Sequence, residues 1–310
     1  MQYGYGKLIL FGEHFVVYGL PAIASAIDLY TRAQVFPHKN GVKMDDLLMG
    51  KHLVFGEHPE DVLDRTMRVI LKETKLTGKS FGVKADGNIP TFGGLGSSAS
   101  IVVAMTKELN AHFSLGLSDE RVNEIAFEAE KVFHGNPSGI DNTVSTFGGL
   151  VWFEKNLAGG KNRIEKLKLK KPLLVVIGNT KVSRDTGTVV REVRERKEKE
   201  PQKYRKIFAQ AKDLVFEARE KLLAGKEKEI GELINQNHKL LQEIKVNSKE
   251  LDLLCRLALD AGALGAKLTG AGKGGCMYAL AKDKKSQEQI KKAFEKEGFD
   301  GYITSVGVKA

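Results

Sequence analysis

Cysteine is scarce: Cys255 and Cys276 are the only two in 310 residues. Two thiols cannot build a disulfide framework, so the expected compartment is a reducing, cytoplasmic one. Long apolar runs are also missing. No stretch reaches the ~18 uninterrupted apolar residues of a bilayer helix, and no membrane partner is expected. The opening MQYGYGKLILFGEHF turns polar at Gly12-Glu13-His14, too early for the apolar core of a secretory signal. There are no sequence repeats and no long low-complexity linker. His38, His52, His58, His112 and His238 lack metal-ligand spacing, which leaves them structural or exposed roles.

The chain has 42% hydrophobic and 28% charged residues, the balance of a globular protein with a real core, which excludes disorder as the main state. At ~150 residues per domain its length suggests two domains, with the best boundary near residue 155, giving 1–155 and 156–310. Glycine is in excess, 33 residues, and concentrated in a few places, which points to backbone that must approach something closely. The 49 basic residues exceed the 39 acidic ones by ten. Such a surplus suits a small polyanion such as a nucleotide as well as nucleic acid. Much of it lies in Arg191–Lys206, where acids interleave with bases; that segment reads as a solvated helical face, with a polyanion-binding patch as the alternative, and without an aromatic platform it does not read as a nucleic-acid binder.

Short β-like runs at Lys7–Phe11, Phe15–Tyr18 and Phe81–Ala85 open the chain. A glycine-rich turn from Pro90 through Gly93, Gly94, Leu95 and Gly96 then runs into Ser97, Ser98, Ala99 and Ser100 and a buried helix ending near Phe113. Ser118 reads as the N-cap of the next helix, with Asp119 and Glu120 at the positive end of its dipole. Val122, Ile125, Ala126, Ala129, Val132 and Phe133 form the apolar stripe of that helix at ~100° per residue. Glu130 falls at the flank of the stripe, where a carboxylate needs a partner or a metal. HGNPSGID (134–141) ends the helix and delivers Asp141 just before an expected strand, Phe147–Glu154. A strand at Leu173–Ile177, helices around Tyr204–Ala218 and Ile230–Ile244, a strand–glycine loop–strand unit at 266–281, a helix near Gln287–Glu297 and a strand at Tyr302–Val308 complete the reading. Trp152 is expected in the core, and Cys276 as a buried thiol.

The loop GGLGSSAS (93–100) carries the strongest signal. Glycines let backbone N–H groups turn inward, and the helix behind adds its unpaired donors and positive dipole end, making an anion cradle suited to phosphate. The loop lacks the GK[ST] ending of a Walker sequence and the third glycine of a dinucleotide fingerprint. KLILFGEH (7–14) places a lysine at one end of an apolar strand and a carboxylate and imidazole at the other. HGNPSGID and KLTGAGKGG (267–275) add a polar turn and a second close-approach glycine loop. Singly, these segments also fit a tight turn, a capped surface, a helix stop and a hairpin; together and in this order they converge on phosphate chemistry.

The ordered set KLILFGEHFVVYG, PTFGGLGSSAS, HGNPSGIDNTVSTFGG and KLTGAGKGGC resembles the GHMP small-molecule kinases, and within them the mevalonate kinases, along essentially the whole chain. Galactokinases generally follow the early GEH with a threonine-aspartate pair, where this chain has Phe15-Val16. The resemblance implies a two-domain α+β fold with the active site in the interdomain cleft and a left-handed βαβ unit in its N-terminal part. It implies ATP and Mg2+ as cofactors and mevalonate as the small-molecule substrate, and it leaves a homodimer open. By position, Asp141 corresponds to the catalytic aspartate and Lys7 to the lysine beside the reacting hydroxyl. Ser98 and Glu130 correspond to the metal ligands, and Pro90 with Gly93–Ser100 to the nucleotide loop. Glu13, His14 and Ser138 correspond to the substrate side, and Gly270, Ala271 and Gly272 to the third motif. The chain departs from the usual GAGGGGC at Lys273, a side chain that either faces solvent or adds a cation near the phosphates or the substrate carboxylate. Rival readings are a phosphomevalonate or homoserine kinase and a non-catalytic nucleotide sensor; a sensor has no need of a base such as Asp141.

Overall fold

A computed structural model describes residues 1–90, 93–135, 137–182 and 185–307. The N-terminal part contains strands β1 (Gln2–Phe11), β2 (Ala22–Phe36), β3 (Val42–Asp46) and β4 (Lys51–Val54), helix α1 (Val62–Glu73) and strand β5 (Phe81–Gly87). Helices α2 (Ser97–His112), α3 (Asp119–His134) and α4 (Ile140–Phe147) follow, then strands β6 (Leu150–Glu154), β7 (Arg163–Leu167) and β8 (Leu173–Asn179). Four helices come next: α5 (Thr186–Lys199), α6 (Pro201–Ala224), α7 (Glu227–Glu243) and α8 (Lys249–Asp260). Strands β9 (Gly265–Leu268) and β10 (Cys276–Leu280), helix α9 (Lys284–Lys296) and strand β11 (Asp300–Val306) close the described chain.

The strands form one mixed sheet in the order β4-β3-β5-β2-β11-β8-β10-β9, with β1 and the β6–β7 pair branching from β2. The single parallel pair among the described strands is β3 with β5, joined through β4 and α1. Strand β2 is the hub. Its residues Ala22–Ser25 pair with β6, Thr31–Phe36 pair with β5, and β1 runs antiparallel along most of its length. Strand β11 meets β2 at Val306↔Ile27 and carries the sheet into the C-terminal half.

Apolar periodicity forms the elements, and burial of their faces holds them. Val122, Ile125, Ala126 and Ala129 of α3 are buried as the stripe requires, against α1 and α2; Val132 and Phe133 at the end of the helix are half-buried. All five positions of β10 are buried; α8 packs against the strand, whose Tyr278 hydroxyl reaches the Leu10 carbonyl of β1. Trp152, Tyr204, Tyr278 and Phe294 anchor the largest cluster, which joins β1 to the C-terminal helices, and a second cluster fills the space under α1, α2 and α3.

Three local expectations differ from the structure. Phe15–Tyr18 is a 3₁₀ turn rather than an extended run. His14 and Gly19 at its ends both take positive φ, 61° and 80°, and reverse the chain between two antiparallel strands, while Phe15 and Val16 are buried. Burial and reversal override β-branched propensity here. Asp141 does not precede a strand; it stands in the first turn of α4, which extends to Phe147, so β6 begins at Leu150. The basic segment 191–206 is split between α5 and α6 at Glu200, with Pro201 in the first turn of the second helix, a position where its missing N–H costs nothing. Strand β11 ends at Val306, and Val308 lies outside the described residues.

Helix α2 lies directly on β1 and β2. Gly4 permits this approach, since a Cβ there would stand 2.0 Å from the Ser100 carbonyl oxygen. The buried Ser100 hydroxyl donates to the Gly4 carbonyl at 2.6 Å and accepts from the Thr31 N–H at 3.0 Å. Replacing Ser100 by Ala strands both backbone groups, and unfolding by denaturant is expected to register a loss of ~1–3 kcal/mol.

Candidate active site

The glycine–serine loop is built by backbone contact. Gly96, at φ 76°, is the N-cap of α2, so Ser97 and Ser98 occupy the first helical turn, where N–H groups have no intrahelical acceptor. Against Gly93 and Gly94 packs the second glycine loop, between β9 and β10. A Cβ on Gly275 would stand 3.4 Å from the Gly93 carbonyl oxygen, and one on Gly93 2.6 Å from the Cys276 sulfur. Gly272, at φ 77°, lies so close to α8's approach segment that a Cβ would come within 2.0 Å of the Val246 carbonyl oxygen. Burial pushes the Cys276 thiol up to about 12, so this cysteine packs and does not react.

Lys7 rises from β1 against the Gly94–Gly96 turn and is only 4% exposed. Its N–H donates to the Leu95 carbonyl at 2.7 Å. Its ammonium donates to the Gly94 carbonyl at 3.1 Å and pairs with Asp141 Oδ1 at 2.9 Å. Asp141 is held by the anchoring of α4 at three points. The Ser145 hydroxyl donates to the Tyr5 carbonyl at 2.6 Å, Lys107 Nζ to the Thr146 carbonyl at 2.8 Å, and Asn142 Nδ2 to Asn123 Oδ1 at 2.7 Å. Strand β1 and helix α4 thus bring two residues 134 positions apart into contact.

Glu130, one turn before the end of α3, is 1% exposed, and its Oε1 has no hydrogen-bond partner among the described residues. Burial, with the neighbouring Asp141 charge, pushes its carboxyl up to about 8, offset in part by a hydrogen bond from the Ser98 hydroxyl. His134 stands beside both, 3.3 Å from Ser98 Oγ and 3.6 Å from Glu130 Oε2. A buried carboxylate oxygen without a partner, next to a hydroxyl in the first turn of α2, is a donor set that fits a hard divalent cation. No group of three or more His, Cys, Asp or Glu among the described residues forms a protein-only cage, so a cation here would share its ligands with phosphate oxygens.

On the opposite side of Lys7, the turn after β1 carries Glu13 and His14. Glu13 is buried against Lys267 of β9 and ion-paired with it. The His14 Nε2–H donates to the Ala271 carbonyl at 2.8 Å, and burial depresses the imidazole to about 4, so the ring is neutral. The Ser138 hydroxyl accepts the Ile140 N–H at 3.3 Å and supports the entry to α4.

These groups surround one cavity of about 970 Å³. Lys7, Glu13, His14, Gly93, Gly94, Gly96, Ser97, Ser98, Glu130, Ser138, Asp141 and Gly270–Gly272 all line it. Pro90, Leu95, Ala99 and Ser100 do not: Leu95 and Ala99 pack in the core, and the Ser100 hydroxyl is engaged with Gly4 and Thr31. Thr91 and Phe92 of the loop, and Asn136 of HGNPSGID, lie outside the described residues. Lys273 is not a cavity wall, although Gly272 and Gly274 beside it are. Its backbone takes φ 58°, and its N–H donates to the Val246 carbonyl at 2.7 Å.

Several wall residues have no counterpart among the sequence-derived candidates. Lys181, Asp185, Thr188, Arg191 and Arg194 come from the β8–α5 connection and α5, so the basic segment is not wholly a solvated face. One local signal was available, Asp185 as an N-cap that accepts the Thr188 N–H at 2.7 Å. His134 and Lys267 lay inside quoted motifs, but only the tertiary contacts single them out.

Two outcomes follow from this geometry. The folded state holds a proton on Glu130 that the unfolded chain, near 4.5, has released, so without metal this group's contribution to stability is full below pH 4.5 and is lost as pH rises towards about 8. Thermal melts in chelator at pH 5 and pH 8 should show that decline in the native sequence and a flatter dependence in Glu130→Gln. Replacing Lys273 by Gly, which relieves a left-handed backbone, should leave both substrate Michaelis constants within about twofold.

Residues 61–149 match the model of the GHMP kinases N terminal domain and residues 218–300 that of the GHMP kinases C terminal. A mevalonate kinase of Thermococcus sibiricus is 38% identical over 303 residues, covering 91% of this chain and 89% of its own. The crystal structure of L. major mevalonate kinase in complex with R-mevalonate superposes with a TM-score of 0.90 at 33% identity, covering 100% of this chain and 96% of that one. The Methanococcus jannaschii mevalonate kinase follows at 0.83 and 25% identity, covering 98% and 97%. Sharing both GHMP halves in order, and more than a third of its residues with such a relative along most of both chains, this chain belongs to the mevalonate kinase family of the GHMP kinases.

Proposed function

We propose that the protein transfers the γ-phosphoryl group of ATP to the 5-hydroxyl of (R)-mevalonate, giving 5-phosphomevalonate for isoprenoid biosynthesis. One observation carries the reading at the level of chemistry: the Lys7–Asp141 pair, at 2.9 Å, stands in the same cavity as a glycine-lined helix N-terminus and the Glu130–Ser98 donor pair. The substrate assignment rests on the relatives reported above.

Phosphoryl transfer asks for in-line placement and neutralisation of charge more than for covalent chemistry. The N–H groups of the Gly93–Ser98 turn receive the phosphates, and the helix dipole favours their charge. Glu130 and Ser98 would hold Mg2+, which when bound neutralises phosphate charge and orients the transferring group. Asp141 accepts the proton of the acceptor hydroxyl, and the Lys7 ammonium, fixed by the Gly94 carbonyl, stabilises the aspartate and then the developing alkoxide. His14 is neutral and spends its Nε2–H on Ala271, so its ring offers the substrate carboxylate no charge. Lys181, Arg191 and Arg194 are the basic side chains offered by the facing wall.

We further propose a division near residue 155, with the phosphate loop, Glu130 and Asp141 on the N-terminal side and α5 and the second glycine loop on the other. No helix among the described residues is long and apolar enough to cross a membrane, which is compatible with the cytoplasmic location proposed here.

A coupled assay of ADP release should show turnover with mevalonate and much weaker turnover with phosphomevalonate or homoserine; preference for either of those would overturn the substrate assignment. Asp141→Asn should lower kcat by ~10²–10⁴-fold while the Michaelis constant for ATP changes little.

A further inference from the structure

The reading above uses Glu13 and His14 as walls of the acceptor end but leaves unused the group beneath them. Lys267 is 0% exposed, an uncommon condition for an ammonium. It arises from β9, pairs with Glu13 Oε1 and stands over the Tyr278 ring at 5.3 Å. The tyrosine is itself fixed, its hydroxyl donating to the Leu10 carbonyl at 2.9 Å. Tyr278 therefore anchors the floor of this pocket to the same strand end that carries Glu13.

The turn that Lys267 grips is a strained one. His14 has φ 61°, a region that non-glycine residues avoid, and Gly12 before it is at 97°. A Cβ at Gly12 would stand 2.6 Å from the Pro21 carbonyl oxygen, so the turn is pressed against the start of β2. Two side-chain contacts hold it to the opposite half: Glu13 to Lys267 and His14 to the Ala271 carbonyl. Both Glu13 Oε2 and His14 Nδ1 are buried without a hydrogen-bond partner among the described residues. With Nε2–H committed to a carbonyl, Nδ1 is an acceptor, as is a carboxylate oxygen. Two adjacent unsatisfied acceptors in a cavity wall call for a donor-bearing ligand such as a polyol or hydroxy acid.

We infer that Lys267 is a positioning residue for the acceptor alcohol, acting through Glu13 to hold the Gly12–His14 turn and its two acceptors in the geometry that receives the substrate's hydroxyl groups. This rests on the alcohol-kinase reading of the cavity. Its contact is with Glu13, on the acceptor side of Lys7, and not with the Gly93–Ser98 loop, so its influence falls on the acceptor rather than on the nucleotide.

A double-variant cycle separates positioning from plain structural support. Lys267→Met alone leaves a buried carboxylate without its counter-charge, so both thermal stability and acceptor binding should suffer. The paired Glu13→Gln/Lys267→Met variant removes both buried charges, and its melting temperature should return most of the way to that of the native chain. The Michaelis constant for mevalonate should nevertheless stay raised by about tenfold or more in both variants, with that for ATP within about twofold. Recovery of the mevalonate constant together with the melting temperature in the double variant would show that the pair only supports the fold, and would overturn the inference. An unchanged mevalonate constant in Lys267→Met would do the same. If the native chain fails to turn over mevalonate at all, the functional reading fails instead, and the two failures are distinguishable.

Discussion

The contact between the Lys7 ammonium and the Asp141 carboxylate is the constraint on which the site depends. Neither residue could hold the other from an isolated element. Lys7 is placed by the pairing of β1 with β2, and Asp141 by the anchoring of α4 to Tyr5, Asn123 and Lys107. Tyr5 and Lys7 sit two residues apart on one strand, so the strand that presents the lysine also fastens the helix that presents the aspartate. An error in the register of β1 by one residue would turn Lys7 to the other face of the strand and dissolve the pair.

Around that contact, three carboxylates of similar intrinsic acidity are set to different tasks by their surroundings. Asp141, partly exposed, stands against an ammonium and keeps access to the cavity. Glu13 is buried but has Lys267 as counter-charge. Glu130 is buried beside the Ser98 hydroxyl and the His134 ring with no close cationic partner, and burial together with the Asp141 charge pushes it up to about 8. Environment rather than residue type sets the three apart.

Backbone proximity does the rest. The two glycine loops approach closely at Gly93, Gly275 and Cys276, where a side chain on Gly93 would force them apart, while Gly272 packs instead against the Val246 carbonyl. The Gly93–Ser98 turn is therefore supported from behind by the unit that ends in Cys276, although that unit lies about 180 residues later in the chain. The clustered glycines answer several local demands: Gly93 meets the other loop, Gly272 and Gly274 meet the Val246 and Val182 carbonyls, and Gly94 and Gly96 take positive φ.

Much of this was legible in the amino-acid order. The glycine loop with its serines, the misplaced Glu130 on an otherwise apolar stripe, the Ser118 cap and the burial of Trp152 and Cys276 are local patterns whose physical meaning needs no partner. The helical identity of α4 was not legible, because Gly135, Pro137 and Gly139 mask its start, and the extended look of Phe15–Tyr18 misled because reversal and burial outweigh propensity. The Lys267–Glu13 pair, the part of α5 that faces the cavity and the engagement of the Ser100 hydroxyl with Gly4 and Thr31 depend on which distant surfaces meet. Composition and spacing thus determined which turns, caps and apolar faces the chain carries and where its turns must be glycine. Only the tertiary structure decided which charges are paired, which buried oxygens are left waiting and which walls enclose the cavity, since pairing and desolvation are set by neighbours in space rather than along the chain.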